Sequence, residues 1–176
     1  MNVGVILAAG DGKRFGGYMH KQYLKLNGKE DVAYTINAMR ESGVFDEILL
    51  VVDEDEYQSG YIAKKYAIKC IRGGETRNRS IKAAIDFIAN NYQCDKVVFH
   101  DSVRPLIRPK HFREIIRDLD NYDAVVTISK IGDSLVDDQF NHINRDNYQL
   151  VQAPEAFRFL LLRNFDAKSR ANAIIS

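Results

Sequence analysis

The chain is poor in the residues that announce many protein classes. It has no tryptophan, and only two cysteines stand among its 176 residues. Cys70 and Cys94 lack the company that a metal site requires, and they read as buried thiols in a reducing cytosol. Charge of one sign is also scarce: the formal net charge is +1, which leaves no electrostatic footprint for nucleic acid or a membrane surface. No apolar run approaches the roughly 20 residues of a spanning helix. The amino terminus reads as a core strand, not as a charged-then-apolar secretion signal. No Ser-His-Asp arrangement, zinc spacing, paired catalytic carboxylates, internal repeat or low-complexity linker occurs. What remains is a single domain long enough to bury a core, with a cytoplasmic location expected.

Apolar runs of strand length alternate with helical patterns. Val3–Leu7, Ile48–Val52, Lys69–Ile71, Val97–Phe99 and Ala124–Ile128 read as strands. Their nearly continuous apolar character suits a parallel sheet covered on both faces. Helices are predicted over Asp31–Ser42, Glu56–Tyr66, Asn78–Asn91 and Pro109–Asn121. Ile81, Ala84, Ile85 and Ile88 share one stripe, as do Phe112, Ile115, Ile116 and Leu119. The alternation argues a doubly wound α/β sheet, mostly parallel. The polar stretch of residues 130–152 breaks the pattern and reads as a protruding β-arm. A last helix is predicted over about Glu155–Phe165.

In such a sheet, ligands bind beyond the carboxyl ends of the strands, and unusual clusters fall there. The first runs from Leu7-Ala8-Ala9-Gly10 through Asp11-Gly12-Lys13-Arg14-Phe15-Gly16 to Lys21-Gln22-Tyr23. Small residues let backbone N–H groups close on an anion, and Arg14 and Lys21 match phosphate oxygens. The dinucleotide fingerprint fits poorly, because no helix opens at the glycines and Asp53 comes too late. No Gly-Lys-Ser/Thr closes a Walker loop. A solvated surface loop is the plain alternative.

The second cluster, Arg72 to Ser80, pairs Gly73-Gly74 with Arg77 and Ser80 near a helix start; its plain alternative is a loop capped by Asn78. The third, Phe99-His100-Asp101-Ser102-Val103-Arg104-Pro105, delivers a carboxylate and an arginine at a strand tip. A carboxylate beside a phosphate site suits Mg²⁺, and Arg104 suits a second phosphate; a simple Asp101–Arg104 ion pair is the alternative. His100 is expected only to pack or hydrogen-bond locally. The fourth combines Asp133-Ser134, Asn144-Arg145-Asp146 and Gln152-Ala153-Pro154-Glu155-Ala156-Phe157.

Together, in this order and over residues 1 to about 165, these clusters resemble the cytidylyltransferases that load sugar-alcohol phosphates onto CMP. That family includes the methylerythritol-phosphate enzyme (IspD) of isoprenoid synthesis and the ribitol-phosphate enzyme (TarI) of teichoic acid and capsule synthesis. The resemblance implies that Ala8, Ala9, Gly10 and Gly12 wrap the CTP phosphates. It implies that Arg14 and Lys21 stabilise the transition state, and that Gly73, Gly74 and Ser80 read cytosine and ribose. It places Mg²⁺ on Asp101, Ser102 against the nucleotide, and the phosphorylated alcohol on Arg104, Ser134 and Arg145. It also implies a homodimer formed through the arm.

Three positions depart from the family pattern. His20 stands where proline is usual, Ala153 where threonine is common, and Ser134 for a threonine. These departures make ribitol phosphate or another polyol phosphate a plausible substrate beside methylerythritol phosphate. Family members continue with a further carboxylate and a lysine, and that C-terminal end of the family fold is expected to be absent here.

Overall fold

The computed structural model describes residues 1–10 and 23–165. In chain order it contains β1 (Asn2–Leu7), a small ribbon of β2 (Lys25–Leu26) and β3 (Lys29–Glu30), and α1 (Asp31–Ser42). Next come β4 (Glu47–Val52), α2 (Glu54–Ser59), α3 (Tyr61–Tyr66), β5 (Lys69–Arg72) and α4 (Arg77–Asn91). They are followed by β6 (Lys96–Asp101), α5 (Pro109–Asp118), β7 (Ala124–Lys130), β8 (Leu135–Val136), β9 (His142–Ile143) and β10 (Gln149–Arg158).

The main sheet has the order β5-β4-β1-β6-β10-β7. β5, β4, β1 and β6 are mutually parallel, while β10 runs antiparallel to both β6 and β7. The sheet is therefore mostly parallel, with one reversed strand near its edge. Alternate residues of the inner strands feed two separate cores. Val3, Val5, Leu49, Val97 and Phe99 meet the α4 stripe of Ile81, Ala84, Ile85 and Ile88. Ile6, Leu50, Val52 and Val98 meet Ile36 and Met39 of α1 and Phe112 and Ile115 of α5. Burial on both faces explains why these strands read as continuous apolar runs.

Local signals set the helix ends. Gly43, at φ +69°, terminates α1 in the left-handed conformation that glycine adopts without a Cβ clash. Thr76, not Asn78, caps α4: its hydroxyl accepts from the Arg79 N–H at 3.2 Å, and Asn78 lies inside the first turn. The helix expected over Glu56–Tyr66 is two short helices, because Gly60 at φ +61° ends one and begins the next. Among the described residues no helix is long and apolar enough to cross a membrane.

The largest correction concerns the expected helix over Glu155–Phe165. Glu155–Arg158 belongs to β10, paired with both β6 and β7, and only Phe159–Asn164 coils, as a 3-10 segment. The helical spacing of Phe157, Leu160 and Leu161 is coincidental. Phe157 is buried in one core and its neighbour Ala156 in the other, whereas Leu160 and Leu161 are exposed. A strand buried on both faces carries no period of two to betray it.

The arm is an extension of the sheet. Gln149–Gln152 of β10 pair with residues 127–130 of β7, and beyond them β8 and β9 close a small hairpin. Because Glu155 of β10 pairs with Phe99, the ribbon leaves the sheet past the carboxyl end of β6, on the side where Asp101 lies.

Candidate active site

The carboxyl ends of β1, β4, β5 and β6 surround a cavity of about 580 Å³. Ladder hydrogen bonds extend past the strand ends and fix its walls. Ala8 N–H donates to Val51 O at 2.8 Å, Gly73 N–H to Val52 O at 2.8 Å, and Ser102 N–H to Leu7 O at 3.0 Å. Four chain segments distant in sequence thus meet as one backbone-lined floor.

Ala8, Ala9 and Gly10 line the cavity together with Gly73 and Gly74, and Gly73 stands directly against Ala9. The glycines are required by packing. A Cβ on Gly73 would stand 2.5 Å from Ala9 Cβ and 2.9 Å from Ser80 Oγ, and one on Gly74 would collide with the Arg79 side chain. Ser80 is buried, and its hydroxyl both accepts from Gly74 N–H at 3.1 Å and donates to Gly74 O at 3.2 Å. The serine thereby holds the glycine turn against the start of α4, where the helix dipole favours an anion.

Asp101 and Ser102 close the cavity from β6. Arg104 Nε lies 3.3 Å from Asp101 Oδ2, so the simple ion-pair reading of these two residues describes a real contact. Arg77 Nη2 approaches the other carboxylate oxygen at 3.5 Å and Glu155 Oε1 at 3.3 Å. Arg104 Nη1 also donates to Gln152 Oε1. The result is an alternating chain of acceptors and guanidiniums that reaches the cavity lining at Arg77 and Asp101. One of its members, Glu155, carries no site role in the sequence reading. Arg77 is legible there as a cation at a helix start, whereas Glu155 gives no signal while its segment reads as a helix.

His100 is buried beside this network. Its Nε2 lies 3.3 Å from Arg104 O, and its ring meets Phe112 edge-on at 5.6 Å. Burial pushes its pKa down to about 4, so the ring is neutral near pH 7 and serves packing.

The other expected site residues lie elsewhere. Gly12, Arg14 and Lys21 fall outside the described residues. Ser134 and Arg145 are on the exposed arm and do not line the cavity; Arg145 Nη1 donates to Gly132 O at 2.5 Å. From Leu24 onward the chain is firmly held. Asp31 N–H donates to Leu24 O at 2.9 Å and Tyr34 OH to Leu26 O at 2.6 Å. Glu30, only 4 % exposed, accepts from the side chains of Lys65 and Tyr66. Lys65 first and Tyr66 second hold the Glu30 carboxyl down at about 2.

An open α/β sheet with a glycine-lined cavity at its strand tips is the class of architecture that binds nucleotides at that end. The model of the IspD family, 2-C-methyl-D-erythritol 4-phosphate cytidylyltransferase, matches residues 2–175, and the chain belongs to that family. It is 30% identical over 175 residues to the 2-C-methyl-D-erythritol 4-phosphate cytidylyltransferase of Thermotoga neapolitana, covering 97% of this chain and 78% of the relative. It is 31% identical over 159 residues to the bifunctional ribulose 5-phosphate reductase/CDP-ribitol pyrophosphorylase Bcs1 of Haemophilus influenzae, covering 88% of this chain but 32% of that protein. The crystal structure of 4-diphosphocytidyl-2C-methyl-D-erythritol synthase from Anaerococcus prevotii shares the fold, with a TM-score of 0.81 at 24% identity over 99% of this chain and 80% of that one.

Proposed function

We propose that this protein transfers CMP from CTP to a sugar-alcohol phosphate and releases pyrophosphate. The observation that carries the reading is the convergence of Ala8–Gly10, Gly73-Gly74 and Asp101-Ser102 on one cavity, in a chain that belongs to a cytidylyltransferase family. A phosphate oxygen of the alcohol substrate attacks the α-phosphorus of CTP. A new P–O bond forms, the bond to the bridging β-phosphate oxygen breaks, and its electrons leave with pyrophosphate. The nucleophile is already an anion, so the reaction needs no general base. A buried neutral His100 suits that chemistry.

Each residue has a part in gathering and neutralising charge. Ala8, Ala9, Gly10 and Gly12 wrap the triphosphate, the Ala8 N–H itself being spent on Val51 O. Arg14 and Lys21 stabilise charge developing around the α-phosphate. Gly73, Gly74 and Ser80 take cytosine and ribose, and Ser102 packs against the nucleotide. Mg²⁺ fits the donor chemistry: Asp101 is a part-exposed carboxylate on the cavity lining, whose oxygens face Arg77 and Arg104 and could pass to a cation. Such a site suits an ion that takes one or two carboxylates and completes its octahedron with substrate phosphates and water. When bound, it would neutralise the triphosphate.

Arg104 with Ser134 and Arg145 holds the phosphorylated alcohol. Ser134 and Arg145 lie on an exposed arm away from the cavity of their own chain, which favours a homodimer whose arms complete each other's sites. Pyrophosphate release, measured across four nucleoside triphosphates with methylerythritol 4-phosphate and ribitol 5-phosphate, tests the reading. Turnover is expected with CTP and Mg²⁺ and one of the two alcohols. Equal rates with all four nucleotides would overturn the cytidylyl assignment.

A further inference from the structure

Glu155 is 3 % exposed, which is a costly place for a carboxylate unless it is paired. It lies on β10 opposite Phe99, on the same strand face as Phe157, directed toward α4. Arg77, the first residue of α4, reaches it at 3.3 Å with the same Nη2 that approaches Asp101 at 3.5 Å. Arg104 repeats the pattern: one nitrogen faces Asp101 Oδ2 at 3.3 Å and another meets Gln152 of β10. Both oxygens of Asp101 thus face guanidiniums, and each guanidinium has a second acceptor on β10. A cation that takes the Asp101 carboxylate repels both arginines. The acceptors on β10 give each arginine a contact that the cation does not contest.

We propose that Glu155 is a positioning residue that keeps Arg77 at the cavity wall when Asp101 exchanges its guanidinium partners for the divalent cation of a metal–nucleotide complex. The proposal rests on the reading of this cavity as a CTP site. Arg77 carries five N–H donors in a rigid fork, so it can keep Glu155 on one side and present charge to a phosphate on another. Its place at the helix start, beside Gly74 and Ser80, puts that charge against the cavity.

The test is calorimetric titration of CTP with Mg²⁺ into the wild-type chain and into Glu155→Ala, Glu155→Gln and Arg77→Ala/Glu155→Ala. The half-saturating Mg²⁺ concentration at fixed CTP and a thermal melt are measured alongside. In Glu155→Ala, the Arg77 Nη2 shared between Glu155 and Asp101 loses the first of these acceptors and competes more strongly with the metal for the second. The CTP dissociation constant and the half-saturating Mg²⁺ should both rise roughly tenfold, as for residues in one ion-pair network. Glu155→Gln, which keeps an acceptor, should lie between this variant and wild type, and it decides the matter if the alanine variant does not fold. The double variant should regain near-wild-type Mg²⁺ dependence, because the competitor is gone, while CTP binding stays weakened. Binding within twofold of wild type in folded Glu155→Ala or Glu155→Gln, with only a lower melting temperature, would reduce Glu155 to a structural residue. A double variant that does not recover Mg²⁺ dependence would also overturn the proposal. A wild-type chain that binds no CTP would instead remove the underlying reading, and that result is seen before any variant is made.

Discussion

The nucleotide cavity and the arm are built on opposite plans. The cavity is walled by strand ends that share ladder hydrogen bonds, and its polar groups are locked from behind by Ser80, Thr76 and Glu155. The arm is nearly all exposed: Phe140 is 84 % accessible, and its inner order comes from short local bonds such as those of Asp137 to Gln139 and Asn141. One region is preorganised by its own chain. The other has a shape but little packing, as suits a surface that is completed by something else. That contrast fits the proposed division of labour, with transition-state charge near the cavity and recognition of the second substrate near the arm.

The sharpest way to break this contrast is at the first loop. Arg14→Ala or Lys21→Ala should lower turnover by about 2.7–4 kcal/mol of barrier while CTP binding changes far less. Steady-state kinetics beside calorimetry checks the split, and near-wild-type turnover in both variants would return the loop to a solvated surface. Next in size is Gly73→Ala, whose Cβ meets Ala9 and Ser80. Overpacking of this kind costs about 1–3 kcal/mol, so denaturant unfolding should show reduced stability together with weakened CTP binding. Unchanged stability would show that the cavity walls yield, contrary to a preorganised site.

The arm should respond in the reverse way. Arg145→Ala is expected to raise KM for the alcohol phosphate several-fold and to leave CTP affinity unchanged, as loss of a phosphate contact does. Removal of residues 131–148 should give a monomer by sedimentation that still binds CTP. A native protein that already sediments as a monomer would sever the arm from the site. The smallest expected effect is on pH dependence. The Glu30 carboxyl titrates near 2 in the folded chain, against 4.5 as its ordinary value. The folded state therefore binds fewer protons than the unfolded one between those values. The stabilisation is complete above about 4.5 and is lost as pH falls toward 2. Glu30→Gln should flatten that part of a melting-temperature profile, and an identical slope in the variant would assign acid sensitivity to other groups.

Much of the molecule is legible in the sequence where one physical signal dominates. The predicted α1 has the observed boundaries because its apolar spacing and the following glycine agree. The inner strands are legible because double burial leaves unbroken apolar runs. The same double burial hides β10, whose Ala156 and Phe157 serve different cores. Gly60 is the available clue that Glu56–Tyr66 breaks in two. In the site, glycines and strand-tip residues announce themselves. Arg77 and Glu155 gain their meaning from a contact across 78 positions of sequence, which no local pattern encodes.

The reversed strand has one more consequence. β10 spans ten residues, from Gln149 in the arm to Arg158 in the core. At about 3.3 Å per residue that is a rod of roughly 30 Å. Its pairing with β7 slips between Gln152 and Glu155, beside the acceptors that hold Arg104 and Arg77. The acceptors of Arg104 and Arg77, Gln152 and Glu155, therefore flank the slip, on the same strand that runs out into the arm.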